Sequence, residues 1–368
     1  MVIAINTRYF LKTYQQDYSD FIHECFSRIT KKYPQHTFIF LSDFSLNISD
    51  DCVPFAEWQS RNITDKAGLW YKLKIAALLK KYKADVFVNA DGFCLLFTKV
   101  PQCFIMPGAG CLYNKYFIKK NHLFLYKKFL SLFLKNTKVV ITGSRFSKNC
   151  IKRQYSITEQ KIDIIPNGIS TSLAPIDWKV KEKIKAQYAD GNEYFIFCGS
   201  TSQQNNFLSL LKAFSQFKKW QKSNMQLLIM NQDTLPEDLT ESLKSFKYRK
   251  DVKVLNLQNN ELTKAIAASY CMLYVTMDDG FQTSVLTALT CSLPVITNDT
   301  NAMPELFSDA VLYTDFNNPA DLAEKFMLIF KDEKLRKGLI EKGRQKAQEY
   351  NWEKISELVW QSILKAAS

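Results

Sequence analysis

Short apolar runs that alternate with helical patterns constrain the fold of this sequence more than any other feature. In the first half, strands are predicted at Val2–Asn6, Thr37–Leu41, Asp85–Asn89, Gln102–Met106, Val139–Thr142 and Lys161–Ile165. Helices are predicted between them, at Asp17–Lys32, roughly Lys66–Lys81, about Lys115–Asn136 and Phe146–Gln154. Such β/α alternation is typical of a mainly parallel sheet covered by helices.

The segment Pro166-Asn167-Gly168 interrupts this alternation, which then restarts. Further strands are predicted at Tyr194–Cys198, Gln226–Met230, Val252–Leu255, Met272–Val275 and Pro294–Thr297. The helices predicted in this half lie at about 205–222, 237–246, 259–269, 283–291, 318–348 and 353–367. Two consecutive doubly wound halves predict two Rossmann-like domains that face each other across a cleft, with ligands beyond the carboxyl ends of the strands.

Composition excludes several classes of protein. The 368 residues are 46% apolar, so a disordered chain is excluded. The N-terminus lacks the pattern of a signal peptide, and no apolar run reaches the length of a membrane span. Nine cysteines without a CxxC pair are typical of reduced thiols, so we expect a cytoplasmic protein. A peripheral position on the inner face of the cell membrane stays open.

The net charge of +13 belongs to the first half of the chain. Residues 1–170 contain 25 basic and 12 acidic residues, whereas residues 171–368 contain 24 of each. Residues 101–150 alone contain nine basic residues and no acidic one. Nucleic acid is not the expected partner, because no recognition motif is present and half of the molecule is neutral.

Four stretches in a fixed order carry a resemblance to a known family. They are ITGSRFSKN (141–149), KIDIIPNGIS (161–170), CGSTSQQNN (198–206) and DDGFQTSVLTALTCSLPVIT (278–297), the last continuing into AMPELFSDAVLY (302–313). Together they resemble the retaining, nucleotide-sugar-dependent glycosyltransferases of family four, over essentially the whole chain. The resemblance implies the α/β GT-B fold, with an acceptor-side domain at 1–170 and a donor-side domain at 171–350. It leaves 351–368 as a helix that packs back toward the N-terminal domain.

The first donor motif has lost its cations. In the family, a glycine turn leads into Arg-Lys-Asn at the head of a helix, which holds and neutralises the donor diphosphate. Here Gly199 and Ser200 keep the turn and Asn206 keeps the cap. Gln204 and Asn205 stand where the family has Arg and Lys. The three amides form either a neutral donor pocket or a drifted loop.

The second donor motif is altered in the same direction. Asp279, the candidate catalytic carboxylate, and Gly280 and Phe281 keep its start. Gln282 replaces a glycine that close backbone approach favours, and Thr287 replaces the glutamate that holds the ribose. The other donor-binding candidates that the resemblance implies are Thr283, Ser284, Val285 and Glu305. Asp279 could equally be a helix cap, and the Glu305 carboxylate could instead interact favourably with the dipole of a helix whose first turn contains it.

The N-terminal half supplies the acceptor-side candidates, which are Asp91, Gly92, Pro107, Gly108 and Arg145. The family's glycine-rich first loop corresponds to residues 14–18, which contain no glycine. Arg145 replaces a glutamate of the family. It is either a replacement phosphate cation or an ordinary surface arginine.

The predicted helix at Lys115–Asn136 combines lysines with large aromatic residues. Such a helix suits an anionic membrane surface, and the lysines assigned to it are Lys119, Lys120, Lys127 and Lys128. The other interpretation is a core helix whose lysines are solvated.

Three functions stay open at this point. The first is transfer of a sugar from a nucleotide-sugar donor to a surface-glycan or lipid-linked acceptor, with retention and without a metal or other cofactor. The second is a catalytically degenerate homologue that acts as a partner, scaffold or glycan-binding subunit of an active glycosyltransferase. The third is a membrane-surface adaptor that uses only the basic face.

Overall fold

The computed structural model describes residues 1–6, 16–41, 68–89, 94–106, 108, 129–170, 173–199, 204–231, 237–275 and 281–368. Its strands are β1 Val2–Asn6, β2 Thr37–Leu41, β3 Val86–Asn89, β4 Gln102–Ile105, β5 Val139–Thr142, β6 Ile162–Ile164, β7 Tyr194–Phe197, β8 Gln226–Met230, β9 Val252–Leu255, β10 Cys271–Tyr274, β11 Val295–Asn298 and β12 Leu312–Thr314. Its helices are α1 Gln16–Lys32, α2 Gly68–Lys81, α3 Arg145–Tyr155, α4 Trp178–Ala189, α5 Gln204–Gln221, α6 Glu237–Lys244, α7 Asn259–Ala268, α8 Thr283–Thr290, α9 Met303–Phe307, α10 Pro319–Lys331, α11 Glu333–Ala347 and α12 Trp352–Ala367. A further helical stretch covers residues 129–136.

The chain divides into two compact units. The first unit consists of Met1–Gly168, Asp278–Phe281 and Trp352–Ser368, and the second of Ile169–Met277 and Gln282–Asn351. Each unit contains a six-stranded sheet, in the order β2-β1-β3-β4-β5-β6 in the first and β12-β11-β10-β7-β8-β9 in the second. The strand pairs that define both sheets are parallel.

The central strands of both sheets are mostly apolar, as is typical of parallel strands that helices cover on both faces. In the first unit, β3, β4 and β5 are buried along their whole length, and so are β7 and β8 in the second. The predicted apolar face of α1 is buried against this sheet, as the positions of Phe21, Ile22, Cys25 and Ile29 in the core show. The residues that the helical period of the sequence places on one face of α1 are therefore the residues that pack in the core of the first unit.

The C-terminal helix α12 completes the core of the first unit by packing on α1. The Trp360 ring stacks on Tyr33, with ring centroids 4.4 Å apart. At the rim, the Lys32 ammonium lies 2.6 Å from the Glu357 carboxylate, and Tyr33 donates a hydrogen bond of 2.8 Å to the same group. The first unit is thus assembled from both ends of the chain.

The chain passes between the units at four points, and the first and last of these, at Gly168 and Trp352, lie close together within the first unit. Gly168 ends the first stretch of the first unit, and a Cβ atom there would overlap the indole ring of Trp352, where the chain returns. In the second unit, the amide of Ile169 donates a hydrogen bond of 2.8 Å to the carbonyl of Tyr350. Position 168 therefore requires glycine, because a side chain there would overlap the indole ring of Trp352.

Some elements differ from the sequence-based expectation. The expectation of one helical segment at 318–348 is wrong, because α10 and α11 are separate helices that meet at Asp332. The Asp332 carboxylate accepts a hydrogen bond from the Leu335 amide at 2.8 Å, which starts the second helix. The short strand β12 and the helix α4 were not predicted. Of the predicted helix at Lys115–Asn136, only 129–136 falls in the described residues.

Within the described ranges, no helix combines the length and the apolar composition that crossing a membrane requires.

Candidate functional site

The donor-side candidates gather where β7 and β10 end in the second unit. These two strands are neighbours in the sheet, with Phe197 paired to Leu273. The helix α5 begins after β7, and α8 begins after β10. Two helix N-termini therefore follow adjacent strands, and the residues around them form what we call the donor edge: Cys198, Gly199, Asn206, Val275, Gln282, Thr283, Ser284, Val285 and Thr287.

Gly199 allows the chain to turn tightly at this edge. A Cβ atom at this position would lie 2.6 Å from the Phe197 ring, 2.8 Å from a Val275 methyl group and 2.8 Å from the Val275 carbonyl oxygen. Carbon atoms do not approach a backbone oxygen this closely, so a side chain here would push β7 and β10 apart. The glycine of the first donor motif is thus required by packing.

Cys198 precedes this glycine, and its amide donates a hydrogen bond of 2.9 Å to the Leu273 carbonyl. Burial raises the pKa of its thiol to about 12. The thiol is therefore neutral at physiological pH and adds no negative charge to the donor edge.

The first turn of α5 carries three residues with amide side chains, Gln204, Asn205 and Asn206. Asn206 is buried in the second unit. The side chains of Gln204 and Asn205, although both residues belong to α5, lie outside the described part of the chain, as does Ser200.

Gln282 adopts a backbone conformation that glycine favours. It stands immediately before α8 with φ 53° and ψ 31°, in the left-handed region that glycine adopts most readily. Its carbonyl accepts from the amides of Val285 and Leu286 at 3.1 and 3.2 Å, and its side chain is only 3% exposed. The chain therefore enters α8 through a conformation that a glycine would adopt at lower cost.

The residues that follow Gln282 form the start of α8. Thr283 and Ser284 are half-buried in its first turn, whereas Val285 and Thr287 are buried. Thr287 is 6% exposed, and its carbonyl accepts from the Cys291 amide at 2.9 Å. A glutamate at position 287 would thus have to enter a site that is closed to solvent.

Two donor-side candidates lie elsewhere. Glu305 is exposed in the first turn of α9. Phe281 belongs to the first unit, where its ring stacks on Phe21 with centroids 4.6 Å apart. The structure gives Phe281 a packing role in the core of the first unit.

A second group of polar residues lies at the carboxyl edge of the first sheet. Asn6 ends β1 and Asn89 ends the neighbouring β3. The Asn6 side-chain amide donates to the Asn89 side-chain oxygen at 3.1 Å, and both residues are 2% exposed. Sequence reasoning missed both residues, although each is a polar residue at the carboxyl end of an apolar strand, where ligands of such sheets bind.

The start of α3 places Arg145 near this edge, just after β5. The Ser144 hydroxyl accepts from the Ser147 amide at 3.0 Å and caps the helix. Arg145 is the first residue of α3 and is exposed, and Gly108 is buried in the same unit. A cation at a helix N-terminus is unfavourable to the helix dipole, so the helix itself does not account for Arg145.

The remaining candidates lie outside the described residues: Asp279, Gly280, Asp91, Gly92, Pro107, Lys119, Lys120, Lys127 and Lys128. Their proposed roles, including membrane docking, stay predictions. In the part of the chain that the structure describes, no group of three or more His, Cys, Asp or Glu side chains could hold a metal ion.

Comparison with protein families gives two matches that follow each other along the chain. Residues 57–173 match the model described as Glycosyltransferase Family 4, and residues 180–346 match the model described as Glycosyl transferases group 1.

Individual relatives are distant. The chain is 24% identical over 244 residues to the N-acetylgalactosamine-N,N'-diacetylbacillosaminyl-diphospho-undecaprenol 4-alpha-N-acetylgalactosaminyltransferase of Campylobacter jejuni, covering 65% of this chain and 64% of that protein. It is 25% identical over 210 residues to the O-antigen chain mannosyltransferase RfbU of Salmonella typhimurium, covering 57% and 54%. The chain thus matches less than two thirds of the length of these relatives.

Among solved structures, Anabaena Alr3699/HepE in complex with UDP and glucose aligns with a TM-score of 0.74 and 13% identity, covering 98% of this chain and 99% of that one. Together with the two parallel six-stranded sheets, this likeness confirms the predicted two-domain GT-B fold. Within that fold, residues 57–173 and 180–346 are similar to these two glycosyltransferase families.

Proposed function

We propose that this protein transfers a sugar, with retention, from a nucleotide-sugar donor to a surface-glycan or lipid-linked acceptor. The observation that carries the proposal is the left-handed backbone of Gln282 in front of α8. It keeps the shape of a donor motif whose side chains have changed. The Campylobacter and Salmonella relatives, which are named as transferases for a diphospho-undecaprenol acceptor and for O-antigen, support the acceptor class.

Backbone geometry at the donor edge suits a diphosphate. Helix N-termini carry partial positive charge and unpaired amides, and two of them follow the neighbouring strands β7 and β10. Such amides bind phosphate oxygens without any charged side chain. We therefore assign the diphosphate of the donor to the starts of α5 and α8, with Gly199 packed closely against Phe197 and Val275 beside them.

The lost cations set the expected strength of this binding. Gln204 and Asn205 can donate hydrogen bonds but cannot neutralise a leaving diphosphate. Removing one preorganised group of this kind typically costs about 10²–10³ in rate. We expect slow transfer and weak nucleotide binding, in the range that millimolar titrations detect.

One observation favours the second candidate function, a degenerate homologue that supports an active glycosyltransferase. Thr287, which replaces the ribose-binding glutamate, is buried in α8 and carries no charge. A protein that only binds a partner or a glycan has no need of that carboxylate.

Calorimetric titration with UDP, GDP and ADP tests the proposed function first. Binding of any one of them at millimolar concentration supports a donor site. Heat no greater than that of dilution for all three would contradict a donor site for these nucleotides and favour the degenerate homologue. Release of nucleoside diphosphate from the matching nucleotide sugar, with the anomeric configuration of the product read by NMR, tests transfer and retention.

Restoring the two cations separates a working donor edge from a drifted loop. We expect Gln204→Arg with Asn205→Lys to strengthen nucleotide binding by about tenfold, because two charge-assisted hydrogen bonds replace neutral ones. Gln345→Arg with Gln348→Lys, at exposed positions of the second unit, is the matched control for added charge. Equal affinities of the restored and control variants would show that the loop no longer faces the nucleotide.

A further inference from the structure

A basic region lies at the amino edge of the first sheet, opposite the carboxyl edge where Asn6 and Asn89 lie. A pocket of about 570 Å³ opens there, beside the amino ends of the neighbouring strands β4, β5 and β6. Pro101, Lys138 and Lys161, which immediately precede these strands, all line it. This pocket is therefore separate from the carboxyl edge, where Asn6 and Asn89 lie.

Four lysines converge on this pocket: Lys99, Lys135, Lys138 and Lys161. No Asp or Glu is found among its described lining residues, which otherwise include the polar side chains of Thr98, Asn136, Thr137, Thr158 and Gln160. We refer to this site as the lysine pocket.

The acidic residues nearest in sequence already have other partners. The Glu159 carboxylate lies 2.6 Å from the Lys152 ammonium and 3.7 Å from that of Lys148. The Asp163 carboxylate lies 2.6 Å from the Lys365 ammonium. The four pocket lysines therefore gather beside carboxylates that are engaged elsewhere.

Local structure accounts for only part of this charge. The Lys161 ammonium donates a hydrogen bond of 2.8 Å to the carbonyl of Lys135, close to the end of the 129–136 helix, where a cation is favourable. One ammonium is enough for that role. Lys99, Lys135 and Lys138 are exposed at the same pocket and add like charges, which repel one another.

The electrostatic environment of Lys161 shows the same crowding. Burial lowers the pKa of its ammonium from the ordinary value, and the charge of Lys138 lowers it further. A bound anion would offset the desolvation cost of the partly buried Lys161 ammonium and would also reduce the repulsion between the lysines.

We propose that the lysine pocket binds a phosphate-bearing anion, such as a diphosphate or an anionic lipid headgroup. Ammonium groups bind phosphate oxygens as point charges, and the threonine hydroxyls and amides of the lining supply neutral hydrogen bonds. The pocket volume exceeds that of one phosphate group and admits a diphosphate. Phe97, which is 88% exposed and adjoins Thr98, adds an apolar surface that would suit a lipid.

Calorimetry with inorganic pyrophosphate at low ionic strength tests the soluble form of this chemistry. The pocket variant is Lys99→Gln with Lys138→Gln, since both side chains are exposed and neither substitution disturbs the core. The control is Lys179→Gln with Lys183→Gln, two exposed lysines of α4 in the second unit. We expect the pocket variant to bind at least about tenfold more weakly than wild type, and the control to bind like wild type.

Sedimentation with phosphatidylcholine vesicles, with and without phosphatidylglycerol, tests the lipid form in the same three proteins. Pocket-dependent binding of anionic vesicles without pyrophosphate binding assigns the pocket to a lipid headgroup, and the reverse assigns it to a soluble phosphate. Identical behaviour of the pocket and control variants in both assays would overturn the proposal. A parallel UDP titration separates this site from the donor edge: unchanged UDP affinity in the pocket variant is expected, and its loss would contradict a separate site.

Discussion

The carboxyl edges of the two sheets are built by different means. At the first sheet, the side chains of Asn6 and Asn89 hold the ends of β1 and β3 together through a buried hydrogen bond. At the second sheet, the backbone itself makes the edge, through the tight turn at Gly199 and the left-handed Gln282. A side-chain contact can be exchanged for another of similar shape, whereas a backbone path tolerates few residue types. The second edge is therefore the more restrictive of the two.

The largest expected effect is at Gly199. We expect Gly199→Ala to lower the free energy of unfolding by about 2–3 kcal/mol, because its Cβ atom would press on the Val275 carbonyl and the Phe197 ring. Denaturant unfolding measures the change. Gly338→Ala is the control, because a Cβ atom at that exposed helical position meets nothing within 4 Å.

The control should stabilise slightly, by about 0.5–1 kcal/mol, since alanine favours a helix interior over glycine. If Gly199→Ala is tolerated as well as Gly338→Ala, the second edge is not fixed by its backbone, and the contrast between the edges fails.

The next effect concerns the amide pair of the first edge. We expect Asn89→Leu to lower the free energy of unfolding by about 1–3 kcal/mol, because it leaves the buried Asn6 amide without this partner. The double change Asn6→Leu with Asn89→Leu should cost less than the sum of the two single changes, since it removes both polar groups. Strictly additive costs would show that the two amides do not act as a pair.

A smaller effect separates backbone from side chain at position 282. Gln282→Ala and Gln282→Gly both remove the buried amide, but only glycine suits a φ of 53° without a steric cost. We expect the glycine variant to be the more stable by about 1 kcal/mol in thermal or denaturant unfolding. If alanine is equal or better, the left-handed turn is not maintained in solution.

The smallest effect comes from a charged contact far from either edge. The hydrogen bond from Lys32 is the main cause that lowers the pKa of Glu357 from its ordinary value of 4.5 to about 2. Because the folded state holds this carboxylate ionised, its stabilising contribution is present above the unfolded pKa and is lost as pH falls from 4.5 toward 2. In unfolding measured across this range, Glu357→Gln should show a flatter pH dependence than wild type. An unchanged slope would mean that α12 does not rely on this contact.

Much of the fold follows from the period of the sequence. The strands Val2–Asn6, Thr37–Leu41 and Val139–Thr142 were predicted with the bounds that the structure shows, because apolar runs of that length are buried on both faces. The strand β12 escaped prediction because only three residues form it, too few for a pattern. The break at Asp332 escaped because helical periodicity continues across it.

The candidate site was less predictable. Motif spacing located Gly199 and Gln282, but only the three-dimensional contacts of Gly199 and the backbone angles of Gln282 show why each position is constrained. The pairing of Asn6 with Asn89 joins residues 83 positions apart, which no local pattern encodes. The lysine pocket has the same origin, since the ends of three strands bring its residues together.

The assembly of the first unit from both ends of the chain has a consequence for biosynthesis. Trp352, Val359, Trp360 and Ile363 of α12 belong to the same core cluster as Ile3 and Ile5 of β1. A ribosome makes β1 before the second unit and α12 after it, so the first sheet lacks its covering helix while the second unit is synthesised. We expect the second unit to reach its native core earlier, and the nascent first unit to be the part of the protein that needs a chaperone.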